Sequence, residues 1–163
     1  MTMNTVMLIQ LLQVPFVLAQ VIVHRAIIKH GRMTQETKED WTFVRACYIT
    51  VCCIVAFFFD EELSVAAAIF SGGAAAFVFA MLFPLLLNLS LGWHPFYLGS
   101  TSHWDVAMIS KHTGYSEETV RSDHQRLYKN DPFYRKDVHF CGATVCACML
   151  LCWVVSTAIA ISL

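Results

Sequence analysis

Two segments, RAIIKHGRMTQETKEDWTFVR at positions 25–45 and KHTGYSEETVRSDHQRLYKNDPFYRK at positions 111–136, contain all eleven Lys and Arg residues of the chain. The remainder is almost uniformly apolar. Of the 163 residues, 57% are hydrophobic and 14% are charged, whereas about a quarter of a soluble domain is charged. Lys and Arg residues that flank short apolar spans are held on the cytoplasmic side of a membrane. The sequence therefore predicts an integral membrane protein embedded in the lipid bilayer.

Four apolar stretches are long enough to cross a bilayer core, which takes about 20 residues of helix. They run from about 5–28, 41–59, 63–91 and 138–163. Residues 92–137, called the insert below, separate the last two. We expect an all-α polytopic fold with four transmembrane helices and one short cytoplasmic helical hairpin, forming a single membrane domain over 1–163. Because the turn at 60–62 and both termini lack basic residues, the N and C termini are predicted outside and residues 92–137 in the cytoplasm.

Three glutamines of the first span, Gln10, Gln13 and Gln20, share one helical face with His24. An amide that faces lipid is unfavourable, so this glutamine stripe should face protein or water. Hydrogen bonding between helices is the favoured interpretation. A polar strip that lines a pore is the alternative. Pro15 lies within the stripe and is expected to kink the helix.

The third span, at about 29 residues, is too long to cross a typical bilayer perpendicularly, so it should tilt, break or extend past the membrane. Gly72 and Gly73 lie in a stretch of small residues that favours close helix packing, with a hinge as the alternative. No charged residue is expected deep in a span. The sequence has no nucleophile elbow, phosphate-binding glycine loop or paired catalytic carboxylates. We therefore predict no catalytic residues, no enzyme activity and no cofactor.

The insert has signals for two short helices. Ser102 is placed to cap a helix over about 103–112, and Gly114 to end it in a left-handed conformation. Ser116 is placed to cap a second helix that ends near Lys129. The Asn130-Asp131-Pro132 run then stops that helix.

Residues 105–127 of the insert, DVAMISKHTGYSEETVRSDHQRL, resemble the helix-turn-helix of bacterial DNA-binding repressors. The features that match are Ile109 before the turn, Gly114 in it, Ser116 as the cap and Val120 in the second helix. The resemblance implies that the second helix enters the major groove. The residues that would then face DNA are Tyr115, Ser116, Glu117, Thr119 and Arg121.

An ordinary αα-hairpin uses the same caps and the same glycine. The insert carries six basic and six acidic residues, and DNA binding draws much of its affinity from a basic surface. DNA is therefore a possible but disfavoured partner. Five histidines in or beside the insert offer a metal or proton-transfer alternative, but their spacing matches no metal motif, and we predict no metal site. They are His94, His103, His112, His124 and His139.

The first functional hypothesis is a non-enzymatic membrane subunit that assembles with itself, as a homo-oligomer, or with a membrane protein partner. A small channel or transporter and a membrane-tethered DNA-binding regulator are the alternatives. The candidate pore or interface residues are Gln10, Gln13, Gln20, Gly72 and Gly73. The candidate partner-binding residues are Trp93, Tyr97, Trp104, Tyr115 and Arg121.

Overall fold

The computed structural model describes residues 3–30, 35–60, 63–100 and 102–163. Arg32 of the first basic segment and Glu61 and Glu62 of the predicted acidic turn lie outside these ranges. Every regular element in the described ranges is an α-helix. In chain order they are α1 Met3–Leu11, α2 Gln13–Lys29, α3 Gln35–Phe59, α4 Val65–Ser90, α5 His103–Thr113, α6 Glu117–Asn130 and α7 Pro132–Ser162.

Four helical stretches of the described chain are long and apolar enough to cross a membrane. They are Thr5–Lys29, Trp41–Phe58, Val65–Ser90 and Pro132–Ser162. The predicted spans are thus present as helices. The last one begins earlier than the predicted position 138, because Asp131 caps it: Asp131 Oδ1 accepts hydrogen bonds from the backbone N–H groups of Phe133 and Tyr134 at 2.9 and 3.1 Å. Pro132, which the sequence interpretation assigned to a helix stop, is the first residue of α7.

The first span is interrupted at Leu12, between α1 and α2. Pro15 cannot donate to the carbonyl of Leu11, four residues earlier, and its ring crowds that carbonyl. The carbonyl of Leu12 accepts a hydrogen bond from the Tyr48 hydroxyl at 2.8 Å. Tyr48 of α3 therefore contacts the backbone at the interruption.

Helix α4 is the centre of the bundle and packs against α1, α2, α3 and α7. It continues without a break through the two glycines and Pro84. Small side chains on its buried face let the neighbouring helices approach closely. A Cβ added to Gly72 would lie 2.9 Å from Cys53 Sγ of α3, whereas one added to Gly73 would meet nothing within 4 Å. Only Gly72 of the pair is therefore a packing glycine.

Candidate functional site

Gln10 joins the first span to α7. Its Oε1 accepts a hydrogen bond from Trp153 Nε1 at 2.8 Å, and its Nε2 donates to Thr157 Oγ1 at 3.0 Å. Both polar atoms of this amide are used between helices. The structure thus places Gln10 in a helix–helix contact within one chain.

Gln13 and Gln20 are both buried in the bundle. Gln13 Nε2 donates to the carbonyl of Ile9 at 3.2 Å, and its Oε1 has no hydrogen-bond partner. Gln20 Oε1 accepts from Arg45 Nε of α3 at 2.8 Å, while its Nε2 has no partner. The glutamine stripe therefore lies against protein, and two of its polar atoms lack hydrogen bonds.

Arg45 is a half-buried charged residue one helical turn inside the second span. Its guanidinium carbon lies 4.6 Å from the ring centroid of Phe79 and 4.5 Å from that of Phe83. Both rings belong to α4 and stack on each other. Arg45 thus connects three spans through Gln20 of α2 and the two phenylalanines. The sequence signal for this was its position after Val44, one helical turn inside the apolar run that begins at Trp41.

His24 closes the same polar region. Its Nδ1 donates to the carbonyl of Gln20 at 2.9 Å, one turn earlier in α2. Its ring packs against the rings of Trp41 and Phe83, with centroids 5.2 and 4.9 Å apart. We call this group the Arg45 cluster. It comprises Gln20, His24, Trp41, Arg45, Phe79 and Phe83.

The insert folds onto the beginning of α7. Ser102 and Ser116 cap α5 and α6 as predicted, and Gly114 ends α5 with a φ of 78°. The apolar core combines residues of all three helices. They are Val106 and Ile109 of α5, Val120 of α6, and Tyr134 and Val138 of α7. The first part of α7 therefore completes a three-helix module with α5 and α6.

His124 lies in the interior of this three-helix module, with its side chain 1% exposed. Its Nδ1 lies 2.9 Å from the Tyr134 hydroxyl and its Nε2 lies 3.0 Å from the Tyr97 hydroxyl. A neutral imidazole has one donor and one acceptor nitrogen, so it can pair with both tyrosine hydroxyls, with one as donor and with the other as acceptor. Burial lowers the pKa of His124 below its ordinary value and raises the pKa of Tyr97 to about 12. The neutral form of both residues is thus the native one.

The loop that leads into the module is attached to α4 and α7. Asn88 Nδ2 donates to the carbonyls of Pro95 and Tyr97 at 3.0 and 2.9 Å. Gly142 of α7 contacts the backbone of Phe96 so closely that a Cβ at this position would overlap the carbonyl. These contacts join the insert to the ends of two spans.

The candidate partner-binding residues fall into different environments. Trp104 is 81% exposed, and Trp93 and Tyr115 are also exposed. The hydroxyl of Tyr97 faces His124 inside the module, so Tyr97 contributes to the interior. Phe133, which is not among the predicted partner-binding residues, is 81% exposed beside the α7 cap.

Arg121 lies on the surface of the module and contacts His103 and Glu117. Its Nη2 donates to His103 Nδ1 at 2.9 Å and lies 3.9 Å from Glu117 Oε2. Glu117 and Glu118 occupy the first turn of α6. The surface that the helix-turn-helix resemblance assigns to DNA therefore presents carboxylates beside its one arginine.

The histidines of the insert do not converge. His94 stacks on His139 with ring centroids 3.6 Å apart, and His139 Nε2 lies 2.6 Å from the Tyr128 hydroxyl. His112 stacks on Phe140 instead. Among the described residues, no group of three or more His, Cys, Asp or Glu side chains is arranged to hold a metal ion.

No protein-family model, curated protein or solved structure matches this chain.

Proposed function

We propose that this chain is a non-enzymatic integral membrane subunit that presents the three-helix module to the cytoplasm as a docking surface for a protein partner. The observation that carries the proposal is the combination of a firmly attached module with two strongly exposed aromatic side chains. Trp104 and Phe133 are each 81% exposed, and aromatic side chains of this size are enriched where proteins bind one another. Exposed aromatic side chains on a rigid support are the expected anchors of a protein interface.

The attachment matters because a partner that binds the module can then be coupled to the membrane part. Helix α7 is continuous from Pro132 to Ser162 and belongs to both parts. Asn88 and Gly142 add contacts between the loop and the spans. The exclusive placement of Lys and Arg supports a cytoplasmic insert with both termini outside.

Both polar side-chain atoms of Gln10 bond to α7, which argues against a pore lined by this residue.

The orientation is tested by fusing a reporter that is active only in the cytoplasm to each terminus and, separately, at Lys129. We expect activity from the Lys129 fusion alone. Activity from either terminal fusion would contradict the orientation.

Docking is tested by placing a photo-crosslinking amino acid at position 104 or 133 of the full-length protein in cells. Position 125 is the matched control, since Gln125 is exposed on α6 but polar. We expect discrete protein adducts from 104 and 133, which mass spectrometry identifies as a second copy or as another protein. Adduct yields at 104 and 133 no higher than at 125 would overturn the proposal.

A further inference from the structure

The Arg45 cluster has hydrogen-bond donors that the described chain leaves unmatched. Arg45 carries five N–H donors, and its Nε uses Gln20 Oε1 as acceptor at 2.8 Å. Gln20 Nε2 is on the same amide, beside the guanidinium, and has no hydrogen-bond partner although the residue is only 1% exposed. A buried amide NH2 group without an acceptor is unfavourable. The site therefore favours a ligand that supplies acceptor oxygens.

The cluster also determines the charge and shape of such a ligand. The two phenyl rings lie against the guanidinium at 4.6 and 4.5 Å, which orients its plane. A guanidinium offers parallel N–H groups that match the oxygens of a phosphate or carboxylate. Since Gln20 Oε1 is already used by Arg45, the remaining groups of the pair are donors. An anion with several oxygens satisfies them, whereas a cation or a neutral donor does not.

The approach to Arg45 is apolar. Phe43 and Val44, which precede it in α3, are 71% and 42% exposed, and the span Trp41–Phe58 is mostly unburied within the chain. Arg45 lies four residues beyond Trp41, or about 6 Å along the helix. Trp side chains are enriched at the level of the lipid headgroups. An arginine one turn further in can reach the phosphate of a lipid while acyl chains cover its apolar neighbours.

We propose that Arg45 and Gln20 form a binding site for a phosphate group, supplied by the headgroup of an anionic phospholipid in the leaflet next to the insert. The inference rests on the membrane location in the proposed function and is independent of docking by the module. Inorganic phosphate has the same chemistry and is the second possible source. An ionisable group within a membrane span commonly marks a functional site.

The experiment uses the full-length protein in a neutral detergent. Native mass spectrometry counts retained lipid, and thermal unfolding is followed after adding phosphatidylglycerol, phosphatidylcholine or inorganic phosphate. Arg45→Gln removes the charge, and Arg45→Lys keeps the charge but removes the paired donors. Arg126→Gln is the control, since Arg126 is exposed and pairs with Asp123 on α6.

We expect phosphatidylglycerol to be retained by the wild type and by Arg126→Gln. Arg45→Lys should bind it about tenfold more weakly, which corresponds to about 1.4 kcal/mol, and Arg45→Gln should bind it more weakly still.

Phosphate alone reproducing the Arg45-dependent stabilisation would assign the site to a soluble anion and support the chemistry. Equal retention of phosphatidylglycerol by the wild type and the Arg45→Lys variant would overturn the proposal, as would equal effects of the two lipids. Arg45→Lys keeps the test decisive if Arg45→Gln does not fold. Extraction of cell membranes with alkaline carbonate tests the membrane location separately, and the crosslinks at 104 and 133 test docking.

Discussion

Nδ1 of His124 lies 2.9 Å from the hydroxyl of Tyr134, and this contact joins α6 of the insert to the first turn of the last long helix. Because both residues are buried, the contact lies in the interior of the three-helix module. The insert and α7 are therefore connected by a buried polar contact as well as by apolar packing.

Replacing Tyr134 by Phe should destabilise the module, because it leaves Nδ1 of a buried imidazole without a partner. We expect a loss of about 1–3 kcal/mol, seen as faster amide hydrogen exchange in α5 and α6. Tyr115→Phe is the control, since Tyr115 is exposed. Unchanged exchange in the Tyr134→Phe variant would contradict a structural role for the hydroxyl.

The stability of the module should depend on pH through His124. Burial lowers the native pKa of this imidazole below its ordinary value of about 6.5, so unfolding below that pH takes up a proton. The module is therefore fully stable above about pH 6.5 and loses stability as the pH falls through that value. Hydrogen exchange at pH 5 and pH 8, corrected for the intrinsic rate, measures the difference. His124→Gln should reduce this dependence. A dependence that persists without His124 would assign it to another group.

The hydrogen bonds of Gln10 should contribute to the packing of the first span on α7. Replacing Gln10 by Leu should lower the free energy of unfolding by about 0.5–1.5 kcal/mol. A double-mutant cycle with Trp153→Phe tests the pair, since Trp153 Nε1 donates to Gln10 at 2.8 Å. The two losses should be coupled rather than additive. Additive losses would show that the contact has no pairwise energy.

Gly72 and Gly73 provide a matched pair for helix packing. Gly72→Ala places a Cβ 2.9 Å from Cys53 Sγ, and we expect a loss of about 1 kcal/mol or more from overpacking. Gly73→Ala meets no atom within 4 Å and should be neutral or slightly stabilising, because alanine is the better helix former. Thermal unfolding in detergent measures both. Adding Cys53→Ala should restore the stability of the Gly72→Ala variant. Equal effects of the alanine at both glycine positions would contradict the packing assignment.

Much of the fold follows from local sequence. Long apolar runs determine the four long helices, and Ser102, Gly114 and Ser116 determine the ends of α5 and α6 because caps act within a few residues. The sequence predicts a kink at Pro15, and the structure has an interruption of the helix at Leu12. Pro15 predicts the place of this interruption. It does not predict the hydrogen bond that the Tyr48 hydroxyl, 36 residues away, donates to the Leu12 carbonyl.

The candidate sites depended more on tertiary contacts. In the sequence, Arg45 is one member of a basic segment. Its contacts with Gln20 and with the phenylalanine rings of α4 depend on the tertiary structure. Asp131 and Pro132 resemble a loop in sequence, yet the same pair is also a good start for a helix. The early start of α7 supplies Tyr134, which pairs with one of the two ring nitrogens of the buried His124.

The helix-turn-helix resemblance of the insert raises the alternative of DNA binding. We expect the solubilised full-length protein not to bind duplex DNA saturably at about 50 mM salt, conditions that favour electrostatic binding over those at about 200 mM. The insert has as many acidic as basic residues, and the first turn of α6 presents Glu117 and Glu118. Arg121 is already bonded to His103 and close to Glu117, so DNA would have to displace these contacts. A filter-binding assay measures the outcome for the wild type, Arg121→Ala and the control Arg126→Ala. Salt-sensitive binding that is lost in Arg121→Ala and kept in Arg126→Ala would establish the DNA-binding alternative and replace protein docking as the function of the module.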